Sequence, residues 1–521
     1  MRHLVLINPQ FPPSYWGFEY ALPILRKRSA MPIGALPLIA ALTPPGYRIT
    51  IMDENVEPID FELASKADIV GVTGMSVQRI RMMEVLTELK RRGAFTVAGG
   101  PWVTVKEDYF GEMADVIFVG EAEESWPRFL EDWEAGRYQK RYEQAEKTDM
   151  SRVPAPRYDL VKMNRYLLGG IQFSRGCPFQ CEFCDIIVTF GRRPRLKTVE
   201  QILAELDRLH RHKMETVFIV DDNLIGNRQF IRSVLPEIAA WQKRHGFPFV
   251  FAAQASLDLA EEEDVMRMMI EAGILSVFIG VESPNEEALR ETRKFQNLSK
   301  KITLLERIRK VQDAGLEVWC GMILGFDHDD ASIFDWQRDF LKKSRITEAM
   351  IGMLYAIPKT PLYSRLAVAG RLDTADVSAH GTNVVPLKIT REALREGYVR
   401  LMHDVYQPAA YFERLEAYTG TPTFQCAPGR AQYLREHPGA RVTTQVKYWI
   451  RSGFVFLQLM RLARDPILRR EYRLRAKQAL RKRLDPAHLF AHLIKCVKHY
   501  HYFTMAKGMA DEQRPTVNTF Q

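Results

Sequence analysis

Cys177, Cys181 and Cys184 stand on one eight-residue stretch, in Arg175-Gly176-Cys-Pro-Phe-Gln-Cys-Glu-Phe-Cys-Asp185. Spacings of four and three put three thiolates on one short loop, converging on one point. Three sulfurs leave a tetrahedral zinc site open and leave a cubane iron–sulfur cluster one ligand short. An iron with an open position is reactive, so the loop points to chemistry more than to a staple. The other reading is a zinc knuckle closed by a distant fourth ligand. Cys320, Cys426 and Cys496 each stand alone, outside any zinc-finger spacing. The first nine residues run straight into an apolar strand, so no secretory signal and no disulfides are expected, and a reducing, cytoplasmic setting fits.

Something must hold that loop. A chain of 521 residues is long enough for two to four domains. Apolar residues make up 46% and charged residues 26%, a globular balance, and no run of 18 apolar residues would span a membrane. Residues 1–145 alternate short apolar strands (Leu4–Pro9, Arg48–Asp53, Ile69–Ser76, Phe95–Gly100 and Val116–Glu121) with helical patterns such as Gln78–Arg92. This predicts an α/β, doubly wound domain of about five parallel strands. Ligands in such folds lie at the carboxyl ends of the strands, which here carry Asn8, Thr73, Ser76, Gly99, Gly100, Gly120 and Glu121. No GxGxxG is present, so a dinucleotide is not expected.

Residues 160–390 repeat strand then helix, with strands expected at Gly170–Ser174, Thr216–Val220, Phe249–Ala253, Ser276–Val281, Glu317–Leu324 and Met350–Ala356. Six βα units make a partial TIM-like barrel, whose chemistry would sit at the strands' carboxyl ends. The cluster loop follows the first strand there, Asp221 and Asp222 the second, Gln254 and Ser256 the third, and Glu282 the fourth. Asp221 and Asp222 read equally as a capping or turn pair, and Glu282 as an exposed carboxylate before a helix. Cys320 reads as a core filler.

Residues 391–521 turn to helices, expected at Thr390–Tyr406, Pro408–Tyr418, Val446–Arg464, Tyr472–Arg483 and His488–Tyr502, with a frayed end from Glu512. Arg430 to Met509 holds 18 Lys and Arg against 4 Asp and Glu, a balance of +14, which leaves −5 for the rest of a chain whose total is +9. Basic residues among Trp, Phe and Leu fit an interfacial helix; helices packed on the barrel with a solvated basic face fit as well. No nucleic-acid recognition motif appears, and nucleic acid is not an expected partner.

CxxxCxxC with Phe183 before its last cysteine resembles the radical S-adenosylmethionine (SAM) superfamily. The resemblance implies a 4Fe–4S cluster on Cys177, Cys181 and Cys184 whose open iron chelates SAM. It also implies Glu282, Asp221 and Phe183 near SAM, and Gly321 near its adenine. The Asn-Pro opening, the later Ala-Gly-Gly-Pro and Val-Gly-Glu-Ala-Glu resemble the cobalamin-binding domain joined to many such proteins. The Asp-x-His-x-x-Gly motif is absent, and no histidine lies between His3 and His210, so any bound cobalamin would take no imidazole from this domain. Phe11–Phe18, the barrel motifs and the long basic tail look most like bacterial hopanoid C-2 methylases. That likeness implies a cobalamin-dependent methyltransferase acting on an unactivated carbon of a lipid. An electron donor such as flavodoxin or ferredoxin and peripheral membrane contact through the tail would go with it. The alternative is a cobalamin radical SAM enzyme without methyl transfer, of the tetrapyrrole-cyclase or ring-contraction type.

Overall fold

The computed structural model describes residues 1–299, 301–378, 380–420, 427–482, 484–509 and 518. Cys426, Arg483 and, apart from Asn518, the stretch from Glu512 lie outside the described residues.

The first sheet is β1 (Arg2–Asn8), β2 (Tyr47–Asp53), β3 (Ile69–Thr73), β4 (Thr96–Gly99), β5 (Val116–Val119) and β6 (Arg141–Glu143), all parallel, in the order β2-β1-β3-β4-β5-β6. Side chains alternate across a strand. Thus Val5 and Ile7 enter one core, under Met82, Val85 and Leu86 of helix Arg79–Arg91, and Leu4 and Leu6 enter the other. Helix Ser125–Glu134 closes that second face with Trp126, Phe129 and Leu130. The sequence led us to expect five strands; β6 makes a sixth. Its three residues carry one apolar side chain, Tyr142, which stacks on Phe118 at 5.5 Å. A pattern that short gives no periodicity to read.

After β7 (Gly169–Ile171) the chain leaves its sheet, earlier than expected, to form an antiparallel pair, β8 (Ser174–Arg175) and β9 (Arg195–Leu196), that brackets the cysteine loop. The barrel resumes with β10 (Thr216–Ile219), β11 (Val250–Ala255), β12 (Ile274–Glu282), β13 (Glu317–Leu324) and β14 (Ala349–Met353), parallel and in the order β14-β13-β12-β11-β10-β7. It stays open between β7 and β14. The N-terminal segment after β1 packs into the barrel: Trp16 lies 6.0 Å from Phe218 and 5.0 Å from Phe278, and Tyr15 stacks on Tyr502 at 4.8 Å. Tyr15, Phe18 and Ile24 therefore belong to the barrel core, not to the first sheet.

The tail helices are Arg391–Val405, Pro408–Thr419, Pro428–Glu436, Pro438–Leu462, Pro466–Lys482 and Pro486–Met509. Five begin with proline at the first helical position, whose missing N–H costs nothing there. The apolar periodicity begins later than these prolines, which is why the sequence placed three starts too far along. The last helix packs at the barrel's amino-terminal end, where buried Glu348, just before β14, bonds Lys495 at 2.6 Å and Lys498 at 2.8 Å. Among the described residues no helix is long and apolar enough to cross a membrane.

Candidate cofactor and substrate site

The cysteine loop is held from below by two aspartates at the end of β10. Asp221 accepts the Phe173 N–H at 2.7 Å and the Ser174 hydroxyl at 2.5 Å; Asp222 accepts the Gly176 N–H at 2.7 Å. Gly176 sits at φ +100°, and a Cβ there would meet the Arg193 carbonyl at 2.9 Å, so the loop's entrance requires glycine. Burial lifts Asp221 to about 7 and Asp222 to about 6. Asp221 is fully buried and serves as a brace, whereas Asp222 faces the cavity beside the cysteines.

Cys177, Cys181 and Cys184 all line that cavity, and the Gln296 side-chain amide donates to Cys181 Sγ at 3.3 Å. The unpartnered Gln296 Oε1 is buried beside it. Burial raises the Cys177 and Cys184 thiols, so metal loading must displace their protons. Among the described residues no group of three His, Cys, Asp or Glu side chains gathers as a single ion would need. A cubane takes each thiolate on a different iron, and the donor set of three sulfurs on one loop fits it.

Glu282 ends β12 in a left-handed conformation, φ +65°, with a register slip after Gly280. Such backbone in a non-glycine residue costs about 1–3 kcal/mol and persists where its surroundings enforce it. Here Asn297 Nδ2 donates to the Gly280 carbonyl at 2.8 Å and the Val281 carbonyl at 2.9 Å. The bulge aims Glu282 at Lys294 Nζ, 2.8 Å away. A Cβ at Gly280 would collide with both. Burial pulls the Lys294 ammonium down, but Glu282 and the nearby Cys181 outweigh it and hold the pKa above the usual lysine value. Lys294 also lies 6.0 Å from the Phe183 ring on the cysteine loop. Lys294 was missed by sequence reasoning; the only available signal was that a buried glutamate needs a cation.

From the cysteines one cavity of about 2520 Å³ runs the length of the barrel. Gln254 and the reciprocally bonded Asn223 and Ser256 line its upper wall. Trp16, Phe218, Phe278, Trp319 and Met350 line its middle, and Lys495 and Lys498 lie toward its lower end. Gly321 pairs with Gly280 across the sheet but does not face the cavity, and Cys320 is core.

The first sheet presents its carboxyl edge nearby. Asn8, Thr73, Gly99, Gly100 and Gly120 come together along it because β1, β3, β4 and β5 are neighbours. Asn8 donates to Asp53 at 3.1 Å and accepts from Gln78 at 2.9 Å. Gly100, at φ +101°, passes so close to Thr73 and Gly74 that no side chain fits. Residues slightly beyond this edge line the cavity: Gln10 after β1, Asn55 after β2, and Met75, Val77, Arg79 and Ile80, flanking Ser76, after β3. This edge offers glycine and backbone and no imidazole; His3 lies at the opposite end of β1. Its donor set therefore fits a corrin without a histidine on the metal. Glu121 has a different placement from the one expected. Its oxygens are committed to Arg175 at 2.7 Å, Arg195 at 2.9 Å and the Thr148 N–H at 3.1 Å, joining the first domain to the β8–β9 pair.

Residues 171–338 match the radical SAM superfamily, residues 26–130 the B12 binding domain and residues 360–514 a domain of unknown function, DUF4070. An uncharacterised methyltransferase of Synechocystis is 37% identical over 80% of this chain and 78% of its own. The hopanoid C-2 methylase of Rhodopseudomonas palustris is 34% identical over 80% of this chain and 79% of its own. OxsB, a cobalamin-dependent SAM radical enzyme solved with aqua-cobalamin and SAM, shares the fold with a TM-score of 0.60 over 98% of this chain and 81% of its own, at 14% identity. TsrM of Kitasatospora setae, a radical SAM methyltransferase solved with cobalamin and a [4Fe-4S] cluster, gives 0.56 over 76% and 81% at 16% identity.

Proposed function

The chain belongs to the radical SAM methyltransferases that carry a B12-binding domain, and on that premise we propose that it methylates an unactivated carbon of a polycyclic lipid, a hopanoid at ring-A carbon C-2. When bound, the cluster with SAM supplies the radical that removes a substrate hydrogen, and cobalamin supplies the methyl group. The protein's part is to bind, orient and exclude water. Cys177, Cys181 and Cys184 hold the cluster. Glu282, aimed by its bulge and paired with Lys294, accepts hydrogen bonds from the polar end of SAM. Asp221 and Asp222 keep the loop rigid. The Glu121 and Arg175 pair holds the two domains together, so that the edge of the first sheet stays over the cluster loop.

The observation that carries the substrate class is the aromatic-walled cavity, which begins at the cysteines and runs through the barrel. Such a channel suits a long, rigid hydrocarbon better than a compact polar metabolite.

The test is anaerobic reconstitution with iron, sulfide and cobalamin, followed by SAM, a reductant and a hopanoid lacking the C-2 methyl. Mass spectrometry should find methylated lipid together with S-adenosylhomocysteine and 5′-deoxyadenosine, and Cys181→Ala should abolish all three. Deoxyadenosine without any methylated product would move the chain to the radical enzymes that do not transfer methyl.

A further inference from the structure

The end of the cavity farthest from the cysteines leaves the barrel among the tail helices. Glu215 and Glu317, at the amino-terminal end of the barrel, line it there, followed by Arg441, Gln445 and Tyr448 of helix Pro438–Leu462 and by Leu484. Lys447 and Arg451 hold this helix to Glu215. Its buried residues, Ser452, Val455 and Leu459, face inward. The opposite face is apolar and bare. Val442, Val446, Trp449, Ile450 and Leu457 follow one another at helical spacing and are exposed, Ile450 and Leu457 at 67% each. Val442 and Val446 adjoin in sequence Arg441 and Gln445 of the cavity's lower mouth, so the bare stripe and the mouth share one helix.

Helix Pro466–Lys482 repeats the theme. It turns Leu468, Tyr472 and Ala479 inward and exposes Ile467 and Leu474 beside Arg470, Arg473 and Lys477. Exposed aliphatics and tryptophan set among cations are the composition of a helix lying in a lipid interface. A second copy of the chain is a poor cover, because two such cationic faces would repel. A nucleic acid has no use for Ile450, Leu457 or Ile467, which would lose water without gaining an apolar partner.

We infer that the exposed faces of helices Pro438–Leu462 and Pro466–Lys482 dock on an anionic lipid bilayer, so that a membrane-dissolved substrate enters the barrel at its amino-terminal end and travels lengthwise to the cluster. The docking face stands on composition and charge; the route rests on the lipid-substrate reading above. An amphiphilic polycycle arriving this way would keep its polar end near Lys495 and Lys498 and lead with its hydrocarbon rings past Trp319, Phe278 and Phe218.

The experiment is flotation of the reconstituted full chain with vesicles of phosphatidylcholine alone and with phosphatidylglycerol added. Two double variants accompany it, Ile450→Asp with Leu457→Asp and Arg470→Glu with Lys477→Glu. All four residues lie on the surface and outside the cavity. Wild type should float with the anionic vesicles, and each variant should bind at least tenfold more weakly. Methylation of a hopanoid embedded in those vesicles should fall in parallel. Methylation of the same lipid in detergent micelles, and SAM cleavage, should be unchanged. Failure of wild type to bind anionic vesicles overturns the inference, as does equal binding by the variants or preferential retention of an oligonucleotide. Vesicle binding without any hopanoid methylation leaves the docking face standing and removes the substrate reading instead.

Discussion

The two ends of the barrel cavity are each secured by a buried carboxylate and lysine, and they are built in opposite ways. At the cysteine end, Glu282 meets Lys294 only 12 residues later, from one βα unit, with a strained backbone aiming the pair. At the tail end, Glu348 meets Lys495 and Lys498 from 147 and 150 residues away, and Glu317 shares Lys495. Burial pulls down on the Lys495 ammonium, but Glu317 and Glu348 outweigh it and hold its pKa above the usual value; Lys498 is lowered by the same burial. The first pair aims a functional group from within its own unit. The second fastens a separate layer of helices to the barrel.

That difference gives the largest expected effects. Lys294→Met and Glu348→Gln should each cost about 3–5 kcal/mol, since each leaves a buried charge without its partner. What they take away should differ. Lys294→Met should lose SAM cleavage while helix Pro486–Met509 keeps its hydrogen-exchange protection. Glu348→Gln should release that helix and keep SAM cleavage in micelles. Equal damage to both readouts in both variants would mean that the two ends form one cooperative unit. A smaller effect belongs to the joint between domains. Glu121→Gln keeps the shape and loses the charge facing Arg175 and Arg195, for about 1.5–3 kcal/mol. Limited proteolysis should then cut between β6 and β7 sooner, with the cluster still assembling.

The same contrast governs what the sequence disclosed. Both parallel sheets, and the placement of the three cysteines and Glu282 on one cavity at the strand ends, were legible because each is written in a short window: an apolar run, a close spacing on one loop, a strand-end motif. Lys294 was not, since its meaning depends on a bulge that only the folded strand shows. Trp16 was visible within Phe11–Phe18, yet nothing local says that this segment crosses to the barrel, packs on Phe218 and Phe278 and walls the cavity. Glu121 was read as a ligand from its position at a strand end; its partners lie 54 and 74 residues onward, beyond any pattern. The tail's basic composition was plain, but the sequence could not separate the residues that fasten it, Lys447, Arg451, Lys495 and Lys498, from those left outside.

The last expected effect is also the sharpest test of the comparison, because pH should push the two ends in opposite directions. In the last helix, burial lowers His499 to about 3 and His501 to about 4. His501 Nδ1 accepts the Tyr20 N–H at 3.4 Å and Nε2–H donates to the Ser14 carbonyl at 3.0 Å, so the neutral ring is the bonded one. The charged and polar neighbours of His499 are Tyr472, the Tyr406 carbonyl, Arg414 and Arg475, none of which favours an imidazolium except the carbonyl. Between these depressed values and about 6.5 the unfolded chain binds protons that the folded chain does not, so stability is lost as pH falls. At pH 5 the loss is about 2 kcal/mol for each ring. Asp221 runs the other way: folded it keeps its proton up to about 7, while unfolded it releases it near 3.9, so stability is lost as pH rises between those values. Hydrogen exchange at pH 5 and pH 7, corrected for the intrinsic rate, should show helix Pro486–Met509 opening more easily at pH 5. The residues around β8 and β10 should be at least as protected there as at pH 7. His501→Gln should roughly halve the tail's response, leaving the His499 share, and leave the cluster end's alone; a common shift at both ends would show that neither the rings nor the aspartate sets the local stability.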